Sequence, residues 1–246
     1  MKNVITSTSN PEVKALVALQ EPKERRLQKK YIAEGLRTCK TIAQHHTVLH
    51  WYVAGDMLEH VQDICPDDNM VTLVNTAVMK KISTAHTPSG VLAVFEIPEL
   101  SPVPLQAGLV LAGIADPGNM GTLLRTCAAL NKKTVILIEG TDPWSPKVIQ
   151  ASAGTIAQLH IIQLSWQELI TRKGALKLYG LVPTGGKAVK TVSSHDALLV
   201  VGNEAHGLSG DQQKSCDDVL SLPMPGDIES LNAAVAGSIA LYMLWE

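Results

Sequence analysis

Between residues 107 and 224 the chain repeats one pattern: the short apolar runs AGLVLAGI, TVILIEG, LHIIQL, LYGLVP, ALLVVGN and VLSLPM, with helical stretches between most of them. Near-continuous apolar strands joined by helices cannot alternate one wet face with one dry face. They predict a parallel sheet covered by helices on both sides, the α/β class. In such sheets ligands sit outside the carboxyl ends of the strands, so the loops that follow the strands are where chemistry is expected.

Upstream, residues 48–96 carry a second, smaller α/β rhythm: VLHWYVAG, MVTLVN and GVLAVFEI, with DMLEHVQDIC between the first two. Pro98, Pro102 and Pro104 then crowd a span that suits neither a helix interior nor a central strand. The expected organisation is a domain over 1–97, a proline-rich linker over 98–106 and a second domain over 107–246. Residues 1–40 hold nine Lys or Arg against four Glu, whereas the whole chain carries a net charge of −2. One end is therefore a candidate reader of polyanions, with Lys23, Arg25, Arg26, Lys29 and Lys30 on a predicted helix and the strand after it as the contacts. The opening MKNVITSTSN has no signal-peptide pattern, and the longest apolar-leaning run, AAVAGSIALYMLW, is too short to span a bilayer. A cytoplasmic protein without membrane contact is expected. Cys39, Cys65, Cys127 and Cys216 are scattered without zinc-ligand spacing, so no metal and no disulfide is expected.

Three loops stand out. DPGNMGTLLR (116–125) follows the first strand of the second domain; Asn119 can bond nearby backbone or cap the next helix, and Arg125 presents a fork suited to phosphate or carboxylate. In LLVVGNEAHGLS (198–209), Glu204 is expected at a strand end with little solvent, and Ser209 as an N-cap. His206 reads more naturally as a hydrogen-bonding loop residue than as a base. In LPMPGDIESLNAAVAG (222–237), Ser230 and Asn232 are expected in the first turn of a final helix whose small residues permit close packing. The absence of G-x-G-x-x-G, Walker and G-x-S-x-G patterns argues against dinucleotide, P-loop and serine-hydrolase chemistry. The residues alone predict a parallel-sheet ligand site without naming its ligand.

Taken together and in this order, the loops resemble the three motifs of the SpoU (TrmH-like) class of SPOUT methyltransferases: N-x-G-x-x-x-R at Asn119, Gly121 and Arg125, the V-G-N-E-x-x-G-L-S block from Val201 to Ser209, and L-P-M-x-G-x-x-x-S-L-N from Leu222 to Asn232. SPKVIQASAGTIAQLHI, from Ser145, and NPEVKALVALQEPKERR…YIAEG are similar to the segments between the first two motifs and to the substrate-binding domain that precedes them. Gln150 departs from the pattern, standing where many relatives have Arg.

The resemblance implies a C-terminal parallel-sheet SPOUT domain with a deep trefoil knot, a homodimer with sites near the subunit interface, and methyl transfer from S-adenosylmethionine to a ribose 2′-hydroxyl of RNA. It implies cofactor contacts chiefly through backbone at Gly202, Leu222, Met224 and Leu231, with the Val182–Gly186 turn helping. Arg125 would bind the phosphate beside the target ribose, Glu204 would orient a basic partner, and Ser230, Asn232 and Asn119 would fix substrate and loops. Ribosomal RNA is favoured over transfer RNA because an added N-terminal domain accompanies many ribosomal enzymes. The competing expectations are a transfer-RNA enzyme, methylation of a base nitrogen, and a non-catalytic RNA-binding or ribosome-assembly factor that keeps the fold.

Overall fold

The computed structural model describes residues 3–65, 67–99 and 104–246. Lys2 of the basic end and Pro102 of the expected linker lie outside the described residues. The chain forms two compact units, Met1–Glu99 with Asp142–Ala157, and Leu100–Thr141 with Gln158–Glu246. The segment Asp142–Ala157, which the sequence reading places in the second domain, thus packs with the first unit.

The first unit runs β1 (Asn3–Ile5), α1 (Pro11–Ala18), α2 (Pro22–Gln28), β2 (Lys30–Glu34), α3 (Leu36–Ala43), β3 (Val48–Ala54), α4 (Leu58–Gln62), β4 (Val71–Val74), α5 (Thr76–Ile82) and β5 (Val91–Glu96). Its sheet has the order β1-β4-β3-β5-β2, with β5 antiparallel to both neighbours and the other pairs parallel. One face buries Val13 and Leu16 of α1 and Val78, Met79 and Ile82 of α5 against Ile32, Tyr52 and Leu92 of the strands.

Arg25 is not available to RNA, contrary to the sequence reading, because it is only 1% exposed. Its Nε and Nη2 donate to Asp142 Oδ2 at 2.9 and 2.7 Å, and its Nη1 donates to the carbonyls of Leu19 and Gln20 at 2.8 and 2.7 Å. The other carboxylate oxygen of Asp142 accepts the Trp144 amide at 3.0 Å. Lys29 is ion-paired with Glu99, while Lys23 and Arg26 are exposed and Lys30 is half-buried at the start of β2.

The second unit begins with β6 (Gly108–Ala112), α6 (Pro117–Ala129) and β7 (Thr134–Ile138); α7 (Pro146–Ala151) belongs to the segment packed with the first unit. It continues with β8 (His160–Gln163), α8 (Trp166–Arg172), β9 (Lys177–Leu181), β10 (Lys187–Ala188), β11 (Ala197–Gly202), α9 (Gly210–Ser215), β12 (Asp218–Ser221) and α10 (Ala233–Trp245). The strands form one all-parallel sheet in the order β10-β12-β9-β11-β6-β7-β8. β6, β7 and β11 are buried throughout, as their unbroken apolar runs require.

The final helix starts later than the sequence reading has it. Asn232, not Ser230, is the N-cap, its Oδ1 accepting from the amides of Ala234 and Val235 at 2.9 and 3.2 Å. Close packing is real: a Cβ added to Gly237 would lie 2.6 Å from Leu123 Cδ2 and 3.0 Å from Val201 Cγ2. The hydroxyls of Thr126 and Ser238 hydrogen-bond at 2.9 Å across α6 and α10. Among the described residues no helix is long and apolar enough to cross a membrane.

Removing one partner of a buried ion pair strands the other charge. Asp142→Ala is therefore expected to cost about 3–5 kcal/mol of stability in urea unfolding followed by tryptophan fluorescence. Replacing both partners, as Arg25→Met with Asp142→Leu, should restore most of that loss; equal losses in the single and double variants would contradict a dominant desolvation cost.

Candidate functional site

The site lies at the carboxyl ends of β6, β9 and β11 in the second unit. After β6 the chain passes Gly113 and reaches Asp116, which caps α6 by accepting the Asn119 amide at 2.8 Å. Asp116, and not Asn119, is thus the cap. Pro117 occupies the first helical position, where a missing amide costs nothing. That leaves the Asn119 side chain free to reach outward.

The loop after β11 is folded by Asn203. Its Oδ1 accepts the amides of Ala205 and His206 at 2.9 and 3.2 Å, and its Nδ2 donates to Gly113 O at 2.8 Å. The backbones of Asn203 and Gly207 close the turn with two further bonds. Only glycine fits at 202, since a Cβ there would come within 2.4 Å of the Gly207 carbonyl carbon. Ser209 caps α9 in a reciprocal capping box with Gln212, as expected.

This turn aims Glu204 at the start of α6. Its Oε2 accepts the Ala115 amide at 3.1 Å, and its Oε1 accepts the Asp116 amide at 3.0 Å and Asn119 Nδ2 at 3.1 Å. Asn119 Oδ1 in turn accepts Asn232 Nδ2 at 3.0 Å. One hydrogen-bonded chain therefore joins all three sequence motifs. Glu204 departs from expectation in two ways: the residue is exposed, and among the described residues its carboxylate holds amides rather than a basic partner. Partial burial pushes its pKa up, but the hydrogen bonds from Asn119, Ala115 and Asp116 outweigh this and hold it below the ordinary carboxylate value.

Beside this chain opens a cavity of about 280 Å³. Its apolar walls come from Leu181, Val182, Val201, Leu208, Leu222 and Leu231, with Met224 at the same rim. Each residue expected to touch the cofactor, Gly202, Leu222, Met224 and Leu231, lines it, as do Glu204 and Ser230. Of the Val182–Gly186 turn, Val182 and Pro183 line it. Asn119 and Asn232 stand behind Glu204. Arg125 is exposed further along α6 and makes no hydrogen bond or ion pair among the described residues. Asn203 is not among the expected site residues although it stands inside the second motif, because the side-chain bonds that shape the turn leave no periodic signal in the sequence. Among the described residues no group of three or more His, Cys, Asp or Glu is arranged to hold a metal ion.

Residues 106–242 match the model of the SpoU rRNA methylase family, and residues 10–93 that of the MRM3-like substrate-binding domain. A Synechocystis protein named an uncharacterized tRNA/rRNA methyltransferase is 32% identical over 97% of this chain and 92% of its own length. The 23S rRNA guanosine 2′-O-methyltransferase RlmP of Bacillus subtilis is 26% identical over 98% of both chains. Among solved structures, an RNA 2′-O ribose methyltransferase aligns with a TM-score of 0.81 at 28% identity, covering 98% of this chain and 97% of that one. An AdoMet-bound rRNA methyltransferase of Sinorhizobium meliloti aligns with a TM-score of 0.85 at 26% identity, over 98% and 97%.

Glu204→Gln would place an N–H against an amide that needs an acceptor. Exchange of the Ala115 or Asp116 amide is expected to quicken by roughly tenfold or more in hydrogen-exchange mass spectrometry or NMR. Because the folded pKa is depressed, the carboxylate's contribution is complete above the ordinary Glu pKa near 4.5 and fades as pH falls through the lower folded value. Protection unchanged by the substitution would contradict this role for Glu204.

Proposed function

The chain belongs to the SpoU rRNA methylase family, and from that premise we propose that it transfers a methyl group from S-adenosylmethionine to a ribose 2′-hydroxyl of ribosomal RNA. The observation that carries the reading is the Asn232–Asn119–Glu204 chain, which draws the three motifs to one rim of the cavity. The cavity suits the cofactor: leucine, valine and methionine side chains offer apolar surface to adenine, and the turns at Gly202 and Leu222 bring backbone polar groups alongside. When bound, S-adenosylmethionine supplies an already activated sulfonium methyl.

The protein's task is then mainly alignment, because holding reactants in a near-attack geometry removes much of the barrier to transfer. Glu204 fixes the loop after β11 against the start of α6, so the cavity rim cannot drift. Ser230, exposed at the rim and without a hydrogen-bond partner among the described residues, is free to bond the substrate. Arg125 clamps the phosphate beside the target ribose and stabilises charge developing on its oxygen. It is not a free general base, since a guanidinium keeps its proton at any working pH.

RNA is gripped by the first unit, which carries the substrate-binding domain match, through Lys23, Arg26 and Lys30; Lys29 contributes less because Glu99 neutralises it, and Arg25 contributes nothing. The working form is a knotted homodimer. Val235, Ile239 and Tyr242 are 46%, 41% and 54% exposed along one face of α10. A second copy would cover that apolar strip and bring its own Arg125 near the interface.

Labelled S-adenosylmethionine incubated with unmodified ribosomal RNA should yield a 2′-O-methyl nucleoside on digestion. Arg125→Ala should lower kcat/KM by roughly 100-fold or more while leaving cofactor affinity within about twofold. A base-methylated product, or an Arg125→Ala enzyme of full activity, would overturn the mechanism.

A further inference from the structure

A second cleft, of about 460 Å³, opens at the carboxyl ends of β6, β7 and β11 and shares Asn203, His206 and Gly207 with the cavity described above. Glu139, Trp166 and Gln212 also line it. Glu139 directly follows β7 with φ of +58°, a left-handed conformation that side chains other than those of Gly, Asn and Asp rarely adopt. Its side chain is exposed and makes no hydrogen bond or ion pair among the described residues. Glycine would occupy that corner at lower cost, so the backbone does not explain a glutamate there. Strained residues of this kind cluster where a side chain has a task.

We infer that this cleft receives the base of the methylated nucleotide and that Glu139 selects guanine. The inference rests on the RNA 2′-O-methyltransferase reading. The shared residues set the cleft directly against the cofactor cavity, where a base attached to the target ribose must go. An ionised carboxylate only accepts hydrogen bonds, so it repels phosphate and demands donors. Guanine presents two adjacent donors on its Watson–Crick edge, N1–H and the N2 amino group, which match the two carboxylate oxygens. Adenine and cytosine place a ring-nitrogen acceptor on that edge, and uracil offers one N–H between two carbonyls. Trp166, partly buried against the core, supplies an aromatic edge to the cleft wall, and aromatic side chains are the usual companions of edge recognition for an unstacked RNA base. Glu139 thus acts as a specificity residue, reading the base while the motif residues align the ribose.

The test uses the full-length protein and synthetic RNA spanning the mapped methylation site, with guanosine or inosine at the target position; inosine lacks only the N2 amino group. Wild-type enzyme should form 2′-O-methylguanosine and prefer guanosine to inosine by roughly tenfold or more in kcat/KM, as expected for losing one arm of a bidentate contact. Glu139→Gly should fold at least as well, because glycine favours positive φ, bind S-adenosylmethionine within about twofold, and lose the preference. Glu139→Gln, which keeps side-chain size, should weaken it as well. If wild type methylates a different nucleoside, or Glu139→Gly keeps the full guanosine preference, the inference fails while the enzymatic reading stands. If wild type methylates no RNA, both fail.

Discussion

Everything at the site follows from the fact that the Glu204 carboxylate can only accept hydrogen bonds. Asn119 must turn its amide nitrogen toward Glu204, which leaves its oxygen for Asn232. Asn232 must then give its nitrogen to Asn119 and its oxygen to the first amides of α10. Each carboxamide has one orientation that satisfies both neighbours, so the polarity of the chain is fixed from one end. Three segments far apart in sequence are thereby held in register by groups of small individual worth, and any substitution that reverses one dipole disturbs the others.

The first unit shows a different economy of charge. A cationic stretch read as an RNA-facing helix gives up Arg25 to the interior, where four hydrogen bonds from its guanidinium tie α2 to Asp142 and to the end of α1. Such a pair contributes little net stability compared with an apolar replacement, yet it is costly to break once formed. The family's methylase match thus contains a stretch that is structurally part of the unit holding the substrate-binding match.

Much of this was legible in the sequence, and the reasons for the remainder are physical. Unbroken apolar runs announced the parallel sheet, since a strand buried on both faces has no alternation to hide. The small residues of the last helix announced close packing, and at Gly237 the structure sets it against Leu123 of α6 and Val201 of β11. Four features were not legible. Ser230 and Asn232 are both good caps, and only the path of the chain after Pro225 decides that Asn232 serves. Asn119 and Asp116 compete in the same way, and Asp116 wins because Pro117 occupies the first helical position behind it. Arg25 and Arg26 are neighbours of identical charge on one helix; which turns inward depends on Asp142, 117 positions away. The exposure of Glu204 was missed because its satisfaction comes from backbone amides rather than from burial.

The central claim, that Asn232, Asn119 and Glu204 act as one unit, is tested most directly by a double-mutant cycle on S-adenosylmethionine affinity using Asn119→Ala, Asn232→Ala and the pair. If the chain works as a unit, the second substitution adds little to the first, and the coupling is on the order of 1 kcal/mol or more. Additive losses would contradict the account and reduce the three motifs to independent loops that happen to meet.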